Sequence, residues 1–398
     1  MSLFHNNMLM SPPSGDAAFN PTVIGNSVWL DGSADTLAKT FSSGSAQTKV
    51  VISTWVQRNS FGTAQDIFSA TGGTGGASRN NRFSFQADDT IDIQVETTEL
   101  ATIIYSTTRV FRDIGWYHVL VSIDQGSITS DQTRLYINGE QVDITVTTLS
   151  GTFSDPLSSF GNAALHNVGS NGGAGTFLNG SVTQTTMLVG QSIQNGDVAV
   201  TDFLDSFTYG TNGSQFSPKS DADIAALATT AGGNSFCLDF ASSSDLGNDI
   251  SSNNNDFTAT SMSSTNQSTN TPSLVYPKIS NIGTPSGDAA ASYTMGLGSN
   301  RMVYSGSNQV SKGLIGTTLI QPDGPKIYWE FYVEGGSVAG NGGRLGNGIT
   351  VPHFNVGNGN GFYGAGGESA FFYRGTMYDN SASSVTGFTV AQAGDIQQ

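Results

Sequence analysis

The sequence predicts an all-β protein, with one short helix near 219–230. Three observations carry this. Gly supplies 50 of the 398 residues, and Ser, Thr and Asn are also abundant, a composition that favours turns and short strands over helices. Apolar residues recur with a period of two in short runs bounded by Gly, Asn and Ser. Asn138-Gly139 sits between the β runs Arg134–Ile137 and Gln141–Val146, and it is a strong hairpin signal because a type I′ turn needs positive φ at both central residues.

The elements follow in order. Residues 1–26 form an arm with Pro12-Pro13, Pro21 and the apolar residues Leu3, Phe4, Met8, Leu9 and Met10, too apolar for a solvated tail and so expected to dock in assembly. Ser27–Gly32 is a first strand. Val50–Arg58 alternates, with Val51, Ser53, Trp55 and Gln57 on one face. Asp66–Ala70, Arg82–Gln86, Thr90–Glu96 and Ala101–Tyr105 are further strands. Thr71–Asn80 is a Gly-rich loop; strand-like RFSFQ follows it, where a phosphate-cradling loop needs a helix N-terminus. His118, Leu120 and Ser122 alternate with Val119, Val121 and Ile123, and Trp116 at the entrance of this strand is expected to close the end of a sandwich core. This strand and the hairpin after it predict a three-stranded meander. Ser150–Thr186 reads as a long Gly/Asn/Ser loop whose Phe153, Phe160 and Phe177 suit either a contact surface or a local core. Met187–Gly190 and Asp202–Tyr209 are short strands, and Ser220 is an N-cap for the helix 219–230. Residues 258–290 read as a polar linker, and 291–398 as a second β domain. PSGDAA occurs twice, at Pro13–Ala18 and Pro285–Ala290, each time just before a predicted first strand.

Several of these segments resemble known families. Trp116-Tyr117-His118-Val119 followed by Leu135-Tyr136-Ile137-Asn138-Gly139 resembles the W-x-H-V … L-Y-x-N-G core of laminin-G-like domains, which are concanavalin A-like jelly-roll sandwiches. In that pattern His118 is structural. Val50–Arg58, Met187–Gly190 and Asp202–Tyr209 resemble other strands of the same family. The phrase NSFCLDFASSSDLGNDISSNNNDFT, from Asn234 on, resembles one found in large tailed-phage structural proteins, where it closes the sandwich and leads into an SPRY-like domain. Pro325–Gly335 resembles the entry strand of SPRY domains. These resemblances imply two β-sandwich (jelly-roll) domains, laminin-G-like over 27–257 and SPRY-like, abbreviated, over 291–398.

Charge and cysteine content exclude other classes. The net charge is −16 although only 12% of residues are charged, a field that opposes a phosphate backbone and sets nucleic acid aside. Cys237 is the only cysteine, so no intrachain disulfide or Cys-based zinc site can form. No run is long and apolar enough to span a bilayer, and MSLFHNNMLMSPP lacks the regions of a signal peptide, so synthesis in the host cytoplasm is expected.

Catalytic constellations are absent from the sequence. The E-x-D-x-x-E glucanase signature is missing. Asp92/Glu96 and Glu330/Glu334 each share a strand face, but four residues of strand separate each pair by about 13 Å, outside the roughly 5–9.5 Å of glycosidase carboxyls. His5, His118, His166 and His353 accompany no nucleophile elbow. No cofactor is expected apart from Ca²⁺, for which Asp88, Asp89, Asp202 and Asp205 are the candidate ligands. The resemblance implies a non-enzymatic phage virion surface protein. It would be a tail fibre, appendage or receptor-binding adhesin that meets a host glycan; alternatively a capsid decoration or head-fibre protein binding only other virion chains, with a polysaccharide depolymerase third. A homo-oligomer is expected, a trimer by analogy with phage fibres.

Overall fold

The computed structural model describes residues 24–44, 47–73, 80–99, 101–112, 115–127, 131–151, 155–172, 175–208 and 214–273, and beyond these only separate strands between 279 and 397. The arm residues Leu3, Phe4, Met8, Leu9 and Met10, Phe153, both PSGDAA segments, His5, His353 and most of 325–335 lie outside the described residues. The chain divides into two units, 1–276 and 277–398.

The first unit is a β-sandwich of two eight-stranded antiparallel sheets. Its strands are β1 (Ser27–Asp31), β2 (Thr36–Thr40), β3 (Lys49–Arg58), β4 (Gln65–Thr71), β5 (Asn80–Phe85), β6 (Ile91–Glu96), β7 (Thr102–Thr107), β8 (Trp116–Asp124) and β9 (Thr133–Ile137). They continue with β10 (Glu140–Val142), β11 (Ile144–Ser150), β12 (Leu165–Val168), β13 (Asn179–Val189), β14 (Leu204–Thr208), β15 (Ser214–Pro218), β16 (Phe236–Leu238), β17 (Thr258–Thr260) and β18 (Gln267–Ser268). The first sheet runs β10-β9-β8-β3-β13-β1-β18, with β16 also on β13; the second runs β11-β7-β6-β5-β4-β12-β2-β17. Between them Val50, Ile52, Val119, Val121 and Val182 of the first sheet meet Phe68, Phe83, Ile93 and Ile103 of the second, all fully or almost fully buried.

The first sheet is covered on both faces. Helix α1 (Asp221–Ala231) lays Ile224, Ala225 and Ala228 on its outer side against Trp55, Leu120 and Leu188, which is why β3 and β8 are buried along nearly their whole length. Ser220 caps the helix by accepting from Asp223 N, and Asp221 and Asp223 in the first turn suit the positive end of its dipole. A register shift in β13 between Thr183 and Thr186, where Gln184 has φ 45°, aims the Gln184 amide at Lys219 O (2.8 Å) and Asp221 Oδ1 (2.9 Å), tying sheet to helix.

The hairpin at Asn138-Gly139 has the required positive φ at both residues, 52° and 82°. Asn138 Oδ1 also accepts from His118 N at 2.8 Å. The predicted third meander strand is really two: β10 stays in the first sheet, and after Asp143 the chain crosses to the second sheet as β11. Trp116 belongs to the layer under the helix rather than to the end of the sandwich. Ser150–Thr186, expected as loop, contains β12 and all but the end of β13. Asp202–Tyr209 does not supply a strand of either sandwich sheet: among the described residues β14 pairs with β15, while Phe203 and Leu204 pack in the buried cluster under α1. The expected linker from 258 onward is sandwich as far as Thr271: β17 pairs with β2, β18 with β1, and buried Asn270 donates to Gln57 Oε1 at 2.8 Å.

In the second unit the described strands form antiparallel ladders. These are β19 (Ile279–Ser280) with β22 (Ile315–Gly316), and β20 (Ser292–Gly296) with β21 (Arg301–Ser305). β24 (Gly346–Thr350), β25 (Ser369–Tyr373), β26 (Thr376–Asp379) and β27 (Ala382–Thr386) form a four-stranded meander. β23 (Phe331–Tyr332) pairs with β28 (Ile396–Gln397).

Candidate functional site

Alternation along β5, β6 and β7 sends Phe83, Ile93 and Ile103 into the core and the residues between them outward. Register aligns the outward residues in rows across the sheet: Arg82, Gln94 and Ile104; Ser84, Asp92 and Ser106; Glu96 and Thr102. Arg82, Asp92, Gln94, Thr102, Ile104 and Ser106 are partly exposed. A chain of hydrogen bonds holds the planar groups. Arg82 Nε donates to Gln94 Oε1 (3.3 Å), Gln94 Nε2 to Glu96 Oε1 (2.8 Å), Asn80 N to Glu96 Oε2 (3.1 Å) and Asn80 Nδ2 to Asn171 Oδ1 (3.1 Å). Burial raises the Asp92 carboxyl above its usual range, against a hydrogen bond from Ser106.

The Gly-rich segment after β12 borders this face. Ser69 Oγ donates to Ser170 O (2.7 Å), and Asp66 N donates to Thr176 O (2.8 Å) while the Thr176 hydroxyl bonds the Asp66 carboxylate. The Arg82 guanidinium, the Gln94 amide and the Asp92 carboxylate, each held by neighbours and partly open to water, present fixed donors and acceptors with Ile104 as a small apolar patch, and the buried Glu96 carboxylate anchors Gln94. Such a surface suits hydroxyl-rich ligands, because preorganised polar groups lose little freedom on binding.

The register also places Asp66, Ser84 and Asp92 in line across three strands. Two strand spacings put Asp66 and Asp92 about 9.5 Å apart at the backbone, near the upper limit for an inverting glycosidase pair. Burial pushes Asp66 up to about 6, a value suited to a general acid. Its residue is 0% exposed beneath Thr176, however, so in this arrangement the carboxyl reaches no substrate.

The expected calcium ligands are not brought together. Asp89 joins Arg58 (3.1 Å), Arg112 (2.7 Å) and Gly62 N (2.9 Å); these partners outweigh its burial and hold its carboxyl below the usual range. Arg58 is itself buried over the Phe85 ring and donates to Phe111 O, so Asp89 neutralises an interior charge. Asp88 accepts from the Thr90 N–H and hydroxyl, Asp202 from Ala199 N, and Asp205 pairs with Lys219. Among the described residues no group of three or more His, Cys, Asp or Glu is placed to hold a metal ion.

The other predicted positions separate in the same way. Phe160 is a core residue stacked on Phe68 with ring centroids 5.8 Å apart, so it offers no contact surface; Phe177 is partly exposed. His118 is buried with Nε2 2.7 Å from Ser53 Oγ, and His166 sits between Phe41 and Phe68 in the core. A concavity of about 730 Å³ lies at the β17 edge, with Leu246, Phe257 and Met262 among its apolar lining and Asp245, Asp256 and Ser263 among its polar lining. Sequence reasoning missed Arg82, Gln94, Asn80 and Asn171 as a set. Alternation marks Arg82 and Gln94 as outward, but only strand register makes them neighbours.

A family model described as the concanavalin A-like lectin/glucanases superfamily matches residues 31–188. No curated protein matches the chain. Among solved structures the chain is similar to a putative carbohydrate binding protein from Bacteroides ovatus, with 12% identity over 59% of this chain and 58% of that one at a TM-score of 0.37. It is similar to a heptameric SAP-like pentraxin from Limulus polyphemus, with 13% identity over 42% of this chain and 76% of that one at a TM-score of 0.30. It is also similar to the enzymatically active domain of bacteriophage CBA120 tailspike protein 2, with 14% identity over 44% of this chain and 27% of that one at a TM-score of 0.32.

Proposed function

We propose that this chain is a non-catalytic, glycan-binding surface protein of a tailed-phage virion, and that the Arg82–Gln94–Glu96 face of the second sheet is its sugar-contact surface. The observation that carries the reading is the hydrogen-bonded row in which Arg82 and Gln94, partly open to water, are held in place by each other and by buried Glu96. The match of residues 31–188 to a superfamily named for lectins and glucanases supports a saccharide as the ligand class. The virion setting rests on the resemblance of the segment from Asn234 to phrases in tailed-phage structural proteins, and the second unit is read as the SPRY-like companion found there. Other virion chains are the remaining partners. Burial of Asp66 argues against a depolymerase.

The test is binding of the full chain to an array of bacterial capsule and lipopolysaccharide glycans, followed by titration calorimetry with the best binder. Arg82→Ala with Gln94→Ala is expected to weaken that binding at least tenfold, the scale of losing one charge-assisted hydrogen bond, while Asp245→Asn in the distant concavity leaves it unchanged. Binding that survives the double substitution, or release of reducing ends from the glycan, would overturn the proposal.

A further inference from the structure

The concavity at the β17 edge is not used by the glycan reading. β17 ends the second sheet on the side away from β11, with β2, β12 and β4 between it and Arg82 on β5. The floor of the concavity is core left uncovered: Ala259 and Met262 pack against the cluster that holds buried Leu246 and Phe257, yet both stay partly exposed. Its volume of about 730 Å³ falls within the roughly 300–1,000 Å³ of ligand pockets.

Its walls are fixed and carry charge of one sign. Phe257 N donates to Gly247 O at 2.8 Å, which joins the wall 243–247 to the wall 256–259. Asp256 Oδ1 accepts from Asp249 N at 2.9 Å, which sets the carboxylate plane and leaves Oδ2 for another donor. Asp256 and Asp245 are both exposed, and among the described residues neither enters an ion pair. No Lys, Arg or His lines the concavity, and the sequence from 220 to 277 contains none.

We propose that this concavity receives a basic, extended segment of a partner protein, with an Arg or Lys side chain pairing with Asp245 and Asp256 while its methylene stem and apolar neighbours cover Ala259 and Met262. Charge complementarity selects this occupant. Two carboxylates without a cation, set beside an apolar floor, match a positive head on an aliphatic stem, and a guanidinium matches a carboxylate with two parallel hydrogen bonds. The same charges, in a chain of net −16, oppose an acidic segment or a second copy. Shape selects a segment over a free amine. The concavity is larger than one side chain fills, and it runs beside β17, which among the described residues pairs only with β2 and so leaves a row of backbone donors and acceptors for an extended chain.

Methyl NMR of the full chain tests this, with the Ala259 and Met262 methyl groups as reporters. The probes are a capped peptide of alternating threonine and valine with one central arginine, the same peptide with neutral citrulline in that place, and n-butylguanidinium. The arginine peptide is expected to shift both signals, and the citrulline peptide to bind roughly tenfold or more weakly, the scale of one charge-assisted hydrogen bond. Asp245→Asn with Asp256→Asn should weaken the arginine peptide as much, whereas Glu140→Gln on β10 of the other sheet changes nothing. Should the double variant fail to fold, Asp245→Asn alone keeps the Asp256 contact to Asp249 N and repeats the test. Three outcomes would overturn the proposal: reporters that stay still up to the solubility limit of the arginine peptide, equal binding of the citrulline peptide, or binding indifferent to the Asp245 substitution. Binding of n-butylguanidinium as tight as that of the peptide would overturn the partner segment and assign the site to a small amine.

Discussion

At neutral pH the His118 imidazole is held without its proton because burial lowers its pKa to about 3, and burial lowers that of His166 to about 4. In the unfolded chain both titrate near 6.5. Between those values the unfolded state binds a proton that the native state refuses, so stability is complete above about 6.5 and falls as pH drops towards 4 and 3. Asp35, Asp66 and Asp221 act with the opposite sign. Burial raises each to about 6 from 3.8, so each adds stability as pH falls through that window. Replacing His118 by Gln should therefore flatten the fall in stability below pH 6.5 by up to roughly 1.4 kcal/mol per pH unit. Urea denaturation at several pH values measures it, and parallel slopes for wild type and variant would refute it.

The element that closes the sandwich shows how one carboxylate organises a segment. Asp249 is 5% exposed and accepts from Cys237 N (2.9 Å), Ser251 N (2.9 Å), Ser251 Oγ (2.8 Å) and Asn255 N (2.8 Å). Asn253 donates to Ala228 O in the last turn of α1, and Asn255 donates to Gly233 O and Ser235 O, so helix end, β16 and the following turn are bound together. A Cβ on Gly247 would stand 1.7 Å from Phe257 O, which leaves glycine the only residue that fits. The polar residues of this phrase are therefore structural. Asp249→Ala strands several buried N–H groups and should cost roughly 3 kcal/mol or more. An unfolding free energy from chemical denaturation within about 1 kcal/mol of wild type would contradict this account.

At the scale of the molecule, the sandwich is completed by the stretch that composition marks as linker. β17 extends the second sheet beside β2 and β18 extends the first beside β1. Asn266 donates to Trp29 O (3.0 Å) and to the Asp35 carboxylate (2.9 Å), and the Thr271 hydroxyl donates to Ile24 O (2.9 Å). A chain ending at 276 is expected to fold alone with a cooperative thermal transition. One ending at 257 loses both edge strands and leaves Asp35 and Gln57 without these partners, so it should melt several degrees lower. Differential scanning calorimetry of the two fragments decides it, and equal melting temperatures would show that 258–276 adds nothing.

What the sequence determined by itself was whatever depends on neighbours along the chain. Alternation located β3, β5, β6 and β8, Asn138-Gly139 specified its turn, and Ser220 marked the start of α1, because propensity, period and capping are local properties. Polar composition misled where tertiary pairing outweighed it, as at β12, β17 and β18, whose backbone groups pair with strands far away in the chain. Only the folded sheet decided that Asp89 faces Arg58 rather than a metal, that Phe160 is core, and that Arg82, Gln94 and Glu96 form one hydrogen-bonded row. Those outcomes depend on register between strands, and register is set by how two whole sheets bury their apolar faces against each other.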